Sequence, residues 1–363
     1  MVTDQAQGSP GVSLADLGWS GFFGAQILPE ETDALPVRIS GVHRSRMAAM
    51  SRTGPIRLVL PAKTNTGDYA VGDWVLVEPQ THLLQRRLAR KTVLQRRTEG
   101  SPTPQLAGAN IDTLFIVTSC NAEFNVARLE RYLALANEAG ITPVIVLTKA
   151  DLTEHAGSYL DQASALQRGL SVIVSNPNAA DAASALRAWC GEGQTVALVG
   201  SSGVGKSTMV NALTGAAPEQ HQPTGSIREH DAQGRHTTTS RSLHAMAGGG
   251  WVIDTPGMRT LHVSDAAAGI HELFAEITEL APRCKFRDCT HAHEPGCAVR
   301  AAVAAGVLEP ERLDRWRAMV TENRTNTPKP AKPGDSRPGE SRPGESRPAG
   351  GRPGRRRPQA EAD

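Results

Sequence analysis

The sequence has no run of eighteen or more apolar residues, and this excludes a membrane-spanning helix. Its first ten residues are polar, carry Asp4 and put no basic segment ahead of an apolar stretch, so no secretory leader is expected. Cysteine is scarce, at five in 363 residues, too few for a disulfide scaffold. Hydrophobic residues reach only 39%, at the low edge for a compact globule. A cytoplasmic protein with no membrane attachment is the expectation, and its length allows two or three domains.

The net charge of +2 conceals an asymmetry. Ten basic and five acidic residues lie between Arg324 and Asp363, so this tail carries +5 and the rest of the chain −3. Residues 334–348 repeat G-(D/E)-S-R-P three times. Eight of the 24 prolines fall in the same tail, which has almost nothing apolar to set against its backbone entropy. Residues 323–363 are therefore expected to be disordered. Their arginines suit either loose attraction to phosphate backbones or simple solubility.

Four further segments precede the tail. Residues 1–35 form an N-terminal extension in which Leu14, Leu17, Trp19, Phe22 and Phe23 can share one face of a short helix docked on the body. Residues 36–104 read as all-β, with short alternating runs between turn residues, as in a small barrel such as an OB-fold. Arg86, Arg87, Arg90, Lys91, Arg96 and Arg97 crowd its last part and make it a candidate RNA-binding face. Residues 105–263 alternate strand and helix, the pattern of a mostly parallel sheet covered on both faces. Residues 264–322 hold the cysteine cluster and a helix expected over Ala301–Met319, with Arg312, Arg315 and Arg317 exposed.

Gly200-Ser201-Ser202-Gly203-Val204-Gly205-Lys206-Ser207-Thr208 follows an apolar strand and opens a helix. This is the phosphate-loop pattern: glycines let backbone N–H groups wrap phosphates, Lys206 adds a cation, and the Ser207 hydroxyl reaches Mg²⁺. Asp254-Thr255-Pro256-Gly257 ends the strand Trp251–Ile253. There Asp254 can tether the same Mg²⁺ with a threonine of 237–239, of which Thr238 is the candidate. Thr148-Lys149-Ala150-Asp151 is the base-reading candidate. The Asp151 carboxylate can accept from both N1–H and N2–H of guanine, a pair of donors that adenine lacks. GTPases usually place Asn where Thr148 stands, which leaves slight room for an ATPase or kinase. Ser175 is a weaker candidate to support the base. Met258 stands where many GTPases have a water-orienting Gln, so slow intrinsic turnover is expected, with His236 as a candidate replacement.

In the usual order the base motif follows the phosphate loop; here it comes first. A domain with neighbouring termini can be cut and rejoined in this way without changing its packing. The segment leaving Asp254 then feeds directly into Cys284-x4-Cys289-x-His291-x5-Cys297, whose spacing suits a closed tetrahedral Zn²⁺ site. His293 rivals His291 as the fourth ligand. Cys120 and Cys190 have no partners at ligand spacing and are expected to be buried and inert.

The barrel with Gly72-Asp73-Trp74-Val75, then Ala109–Asp112, T-K-A-D, the phosphate loop, Gly234–Thr239, D-T-P-G and the Cys/His spacing, in that order, resembles the RsgA/YjeQ family. These are circularly permuted, ribosome-small-subunit-dependent GTPases of bacteria. The resemblance covers roughly residues 36–322. It implies an OB-fold, a permuted GTPase domain and a small helical zinc-binding domain, in a protein expected to be monomeric. It implies an activity too: GTP hydrolysis stimulated by the 30S subunit and its 16S rRNA, in the service of late 30S maturation. The nucleotide motifs carry over to Gly200–Thr208 and Thr148–Asp151, and the zinc ligands to Cys284, Cys289, His291 and Cys297. An RNA-binding assembly protein in which nucleotide only sets conformation is the reading from another class.

Overall fold

Five short strands build the N-terminal barrel. They are β1 (Leu35–Val42), β2 (Met47–Ser51), β3 (Gly54–Arg57), β4 (Trp74–Val77) and β5 (Leu84–Arg87). β1, β2 and β3 form an antiparallel meander, β4 joins β1, and β5 joins β4. A parallel bridge from Val59 to Leu83, beside β3 and β5, closes the ring. This is the strand order of an OB-fold, closed so that no long edge is left unpaired. Alternation along the strands turns Val37, Ile39, Met47, Ala49, Val75 and Val77 inward as its core. A register shift at Ile39–Gly41 bends β1.

The structure is a computed structural model, and it describes residues 12–96, 104–176, 184–215, 241–255 and 263–327. The tail assigned to 323–363 lies outside the described residues from position 328 onward. Ahead of the barrel, α1 (Gly21–Gly24) is a single turn. Leu17 and Phe23 are fully buried, and Trp19 meets Trp74 edge-on at 4.8 Å, so the extension docks on the body as expected.

β6 (Val93–Arg96) pairs with β7 (Gln105–Ala109) and leads into the α/β layer. That layer runs β8 (Thr113–Ser119), α2 (Val126–Glu138), β9 (Thr142–Thr148), α3 (Ala156–Ser164) and β10 (Ser171–Val174). It continues through β11 (Thr195–Val199), α4 (Lys206–Thr214), β12 (Ser242–Ala245) and β13 (Trp251–Asp254). Strands β10, β9, β8, β11 and β13 lie side by side and parallel. The central strands, buried on both faces, read as unbroken apolar runs such as Val144–Leu147. Helix α2 starts where the Asn125 side chain accepts the Arg128 N–H at 2.9 Å, and Gly140, with φ 66°, closes its C-terminal turn. Antiparallel β12 pairs with β13 and, at Gly41–Ser242, with β1. Barrel and α/β layer therefore share one continuous sheet.

The C-terminal helices are α5 (Ala267–Leu273), α6 (Ala275–Leu280), α7 (Ala298–Ala304) and α8 (Pro310–Asn326). The single helix expected over Ala301–Met319 is in fact two. Gly306, at φ 70°, ends the first, and Pro310 occupies the first turn of the second. Arg312, expected to be exposed, is buried.

Candidate functional site

The parallel strands end along one edge, where open α/β sheets hold their ligands. β11 stops at Val199 and the chain turns through Gly200–Gly205 into α4. Gly200 has φ 142°, and a Cβ there would lie 2.1 Å from the Val117 carbonyl oxygen, so no other residue fits. The buried Tyr132 of α2 hydrogen-bonds the Gly200 backbone. Gly203 and Gly205 are also left-handed, at φ 76° and 101°, and Gly205 is the N-cap of α4. Val204 is buried and pins the middle of the loop. The Lys206 ammonium donates to the Gly200 carbonyl at 2.8 Å and to the Ser201 carbonyl, so it lies over the loop that its backbone forms. Ser201 and Ser207 are half-buried at the rim, as is Thr208, while Ser202 and Gly203 face solvent.

Thr148, the last residue of β9, is fully buried. Its hydroxyl donates to the Val204 carbonyl at 2.7 Å, with the Thr118 carbonyl 3.2 Å away. The base motif and the phosphate loop are thus tied to each other directly. Lys149 adopts the left-handed φ of 57°, which turns the chain into the short helical turn Ala150–Leu152 and leaves Asp151 exposed. Ser175 ends up buried next along the edge, its N–H bonded to the Leu147 carbonyl at 2.9 Å. Asp254 ends β13 half-buried, one residue after Ile253, which is level with Ala197 of β11. The neighbouring Thr255 hydroxyl donates to the Leu198 carbonyl at 2.6 Å. The phosphate loop, Asp254, the base motif and Ser175 thus all lie on one edge. His236 and Thr238 lie outside the described residues, as do Pro256–Met258.

The second cluster lies in the C-terminal module. Cys284, Cys289, His291 and Cys297 place their four ligand atoms within 4.8 Å of one another. Cys284 Sγ is 3.9 Å from Cys297 Sγ, and His291 Nδ1 is 3.5 Å and 3.4 Å from these sulfurs. A tetrahedron with Zn–S bonds of about 2.3 Å and Zn–N bonds of about 2.0 Å has S–S edges of roughly 3.8 Å and S–N edges of roughly 3.5 Å. The donor set therefore fits one four-coordinate metal ion, with every position filled by protein. His293 is exposed and outside the cluster. Burial lowers the His291 pKa, which favours the neutral, ligating imidazole. Burial opposes ionisation of Cys284. The N–H groups of Ala298 and Val299, together with the Cys297 and Cys289 side chains, hold its thiol below the ordinary value all the same. Cys120 and Cys190 are buried apart from this cluster, and burial pushes the Cys190 thiol up to about 12.

The basic run in the barrel is only partly free. Arg86 pairs with Glu31, whose carboxyl the bond pulls down to about 2, and Arg90 pairs with the fully buried Asp73 at 2.6 Å. Two buried cations gave no sign of themselves in the sequence. Arg38 donates to the Leu17 carbonyl and to the Thr195 hydroxyl, both at 2.7 Å, at the seam of extension, barrel and α/β layer. Arg312 bonds Glu130 of α2 at 2.8 Å.

A phosphate loop and a base motif on the ends of parallel strands β11 and β9, either side of β8, with the base motif first in the chain, define a circularly permuted P-loop nucleotide-binding fold. Comparison with known proteins agrees. The RsgA GTPase family model matches residues 87–264. The chain is 68% identical over 321 residues to the small ribosomal subunit biogenesis GTPase RsgA of Mesorhizobium japonicum, covering 88% of this chain and 93% of that one. It is 44% identical over 315 residues to RsgA 2 of Vibrio parahaemolyticus, covering 86% of each. In fold it is similar to YjeQ from Thermotoga maritima (TM-score 0.59, 24% identity, 80% of this chain and 98% of that one). It is also similar to YloQ, a circularly permuted GTPase (TM-score 0.57, 23% identity, 83% and 99%). The chain belongs to the RsgA GTPase family.

Proposed function

We propose that this protein is a GTP hydrolase that binds the 30S ribosomal subunit and assists its late maturation, with turnover stimulated by that subunit. The observation that carries this reading is the Thr148–Val204 hydrogen bond, which joins a guanine-type motif to a phosphate loop in permuted order. In this reading Gly200–Thr208 cradles the phosphates and Lys206 leaves its carbonyl partners for the β- and γ-phosphates. Thr148–Asp151 reads the base through the exposed Asp151 carboxylate. Ser207, Asp254 and Thr238 would hold Mg²⁺, which when bound neutralises charge building on the γ-phosphate. Cys284, Cys289, His291 and Cys297 would hold one structural Zn²⁺. The barrel of 36–104 supplies an rRNA contact, and the module 105–263, which holds Asp254, passes directly into the module 264–322. Met258 has no group that orients water, so that task falls to His236 or to the ribosome. No described helix is long and apolar enough to cross a membrane. A cytoplasmic monomer is the form proposed.

GTP turnover measured against 30S concentration tests the whole reading. Wild-type rate should rise and saturate, and Lys206→Ala should abolish both basal and stimulated hydrolysis, because no other fixed cation of the motif reaches those phosphates. Turnover that ignores the subunit would defeat the ribosomal reading. Full stimulated turnover by Lys206→Ala would defeat the phosphate-loop reading.

A further inference from the structure

Strand β12 carries a polar pair beside apolar neighbours. Successive side chains point to opposite faces of the sheet. Leu243, level with Ile253 of β13, is buried in the core on one face. Ser242 and His244 belong to the other face, where Val252 of β13 is fully buried with Met209 and Val210 of α4. Both are half-buried, and Ser242 Oγ lies 2.7 Å from His244 Nε2, within hydrogen-bond distance.

The register gives this pair its place. His244 is level with Val252, and Ser242 is level with Asp254. Directly opposed residues of an antiparallel pair share a face, with Cβ atoms about 4.5–5.5 Å apart. The Ser242 hydroxyl therefore lies beside the Asp254 side chain, on the face that β13 turns toward α4, the helix that opens with Lys206 and Ser207. The Ser242 backbone is fixed on its far side too, because β12 meets Gly41 of the barrel at that same residue. His244 stands behind Ser242, one step further from the ligand edge. Imidazole, hydroxyl and carboxylate thus run in line toward that edge.

A serine hydroxyl has one proton to give and can accept another. With His244 protonated at Nε2, the ring donates to Ser242 Oγ, and the hydroxyl proton is left for an acceptor on the other side. The register sets a carboxylate there. Carboxylates that ligate metals are themselves held by hydrogen bonds, which fix the direction of the ligating oxygen. We infer that Ser242, held by His244, is a positioning residue for Asp254. Its hydroxyl donates to one carboxylate oxygen and leaves the other for Mg²⁺. This role rests on the proposed reading of Asp254 as a Mg²⁺ ligand and adds the groups that aim it.

The test follows a fluorescent, non-hydrolysable GTP analogue on the full-length protein while free Mg²⁺ is titrated, and repeats the binding in chelator. Ser242→Ala and His244→Leu should each raise the Mg²⁺ concentration at half-effect about tenfold, the lower end of what losing a ligand's hydrogen-bond partner costs. Affinity in chelator should stay at the wild-type value, which a general loss of structure around β12 would not allow. The double variant should be no worse than either single, because both break one chain of bonds. Ser242→Thr keeps the hydroxyl and His244→Gln keeps a donor near the Nε2 position, so both should titrate as wild type does. An unmoved Mg²⁺ midpoint in Ser242→Ala or His244→Leu overturns the inference. So does a His244→Gln variant as poor as His244→Leu, or an affinity in chelator that falls in step with the midpoint. Asp254→Asn separates the two readings. No shift in that variant would defeat the role of Asp254 itself. A shift there, with wild-type titrations by Ser242→Ala and His244→Leu, would defeat only the positioning pair.

Discussion

Thr148 has one hydroxyl proton and two carbonyls within reach, Val204 at 2.7 Å and Thr118 at 3.2 Å. The shorter bond takes the proton, and it is the bond to the phosphate loop. A threonine in the usual place of Asn therefore keeps the loop tethered, and in the proposed reading the base falls to Asp151. The two roles should separate on mutation. Thr148→Val is nearly isosteric but leaves the Val204 carbonyl without its donor, at a cost of about 1–2 kcal/mol. It should raise KM for GTP several-fold and leave the preference for GTP over ATP intact, as read by competition against labelled GTP. Asp151→Asn should do the reverse. An amide presents a donor where guanine also presents donors, and the lost pair of charged bonds is worth on the order of 2–4 kcal/mol. GTP-over-ATP preference should then fall at least about tenfold, and an unchanged preference would show that the base is read elsewhere.

Helix α2 lies between the sheet and the C-terminal helices, and its two sides carry different chemistry. Leu129, Tyr132, Leu133 and Ala136 are buried on one side, with Tyr132 reaching Gly200. Glu130 is buried as well and accepts from Arg312 at 2.8 Å and Arg315 at 2.9 Å, both from α8. Arg312 is only 7% exposed, lies 4.0 Å from the Phe274 ring centroid and also donates to the Leu166 and Leu273 carbonyls. Gly269 of α5 lets the helices touch, because a Cβ there would sit 2.0 Å from the Ala134 carbonyl oxygen. Arg312→Met should cost about 3 kcal/mol, since it leaves the buried Glu130 carboxylate with the half-buried Arg315 alone and takes the donor from two carbonyls. Urea unfolding reads that loss. The double variant Glu130→Leu/Arg312→Met should recover much of it, and a double variant as unstable as the sum of the singles would refute the pair's role. None of this was legible in the sequence. The phosphate loop, the base motif and the Cys/His spacing are local, and their residue types have few other uses. Glu130 and Arg312 are 182 residues apart, and in a linear reading each is an ordinary charge on a solvated face. The same holds for Arg38, whose guanidinium burial pulls down to about 10 and whose partners come from three separate segments. Gly306, at φ 70°, and Pro310 explain why α7 and α8 are separate where one helix was expected.

The permuted order gives the C-terminal module a mechanical position that the usual order would not. Beyond the Asp254 segment, from Val263 onward, the chain is held by α8. Val263 N–H donates to the Glu322 carboxylate at 3.0 Å, Asp265 N–H to the Thr327 hydroxyl at 2.8 Å, and Ala266 N–H to the Asn323 side chain at 3.0 Å. Glu322 is in turn paired with Arg131 of α2 at 2.8 Å. α8 also holds the Cys/His cluster, through Arg317 bonded to the His291 carbonyl and Trp316 at 5.3 Å from the His291 ring. One helix thus joins the Cys/His cluster to the far end of the segment that leaves Asp254. The stretch 281–300 has little core of its own, so metal binding should supply its folding free energy. Chelation, or Cys289→Ala, should unfold that stretch while GTP still binds, because the phosphate loop and base motif are built on β9 and β11. Hydrogen exchange should show protection lost around 281–300 and kept along β8–β11. Stimulation by 30S subunits should fall much more than basal hydrolysis, since the unfolded stretch slackens α8. Metal analysis of protein purified without chelator should give about one zinc per chain, as a single four-ligand site requires. Protein that contains no zinc, or a Cys289→Ala variant with normal 30S stimulation, would refute this coupling.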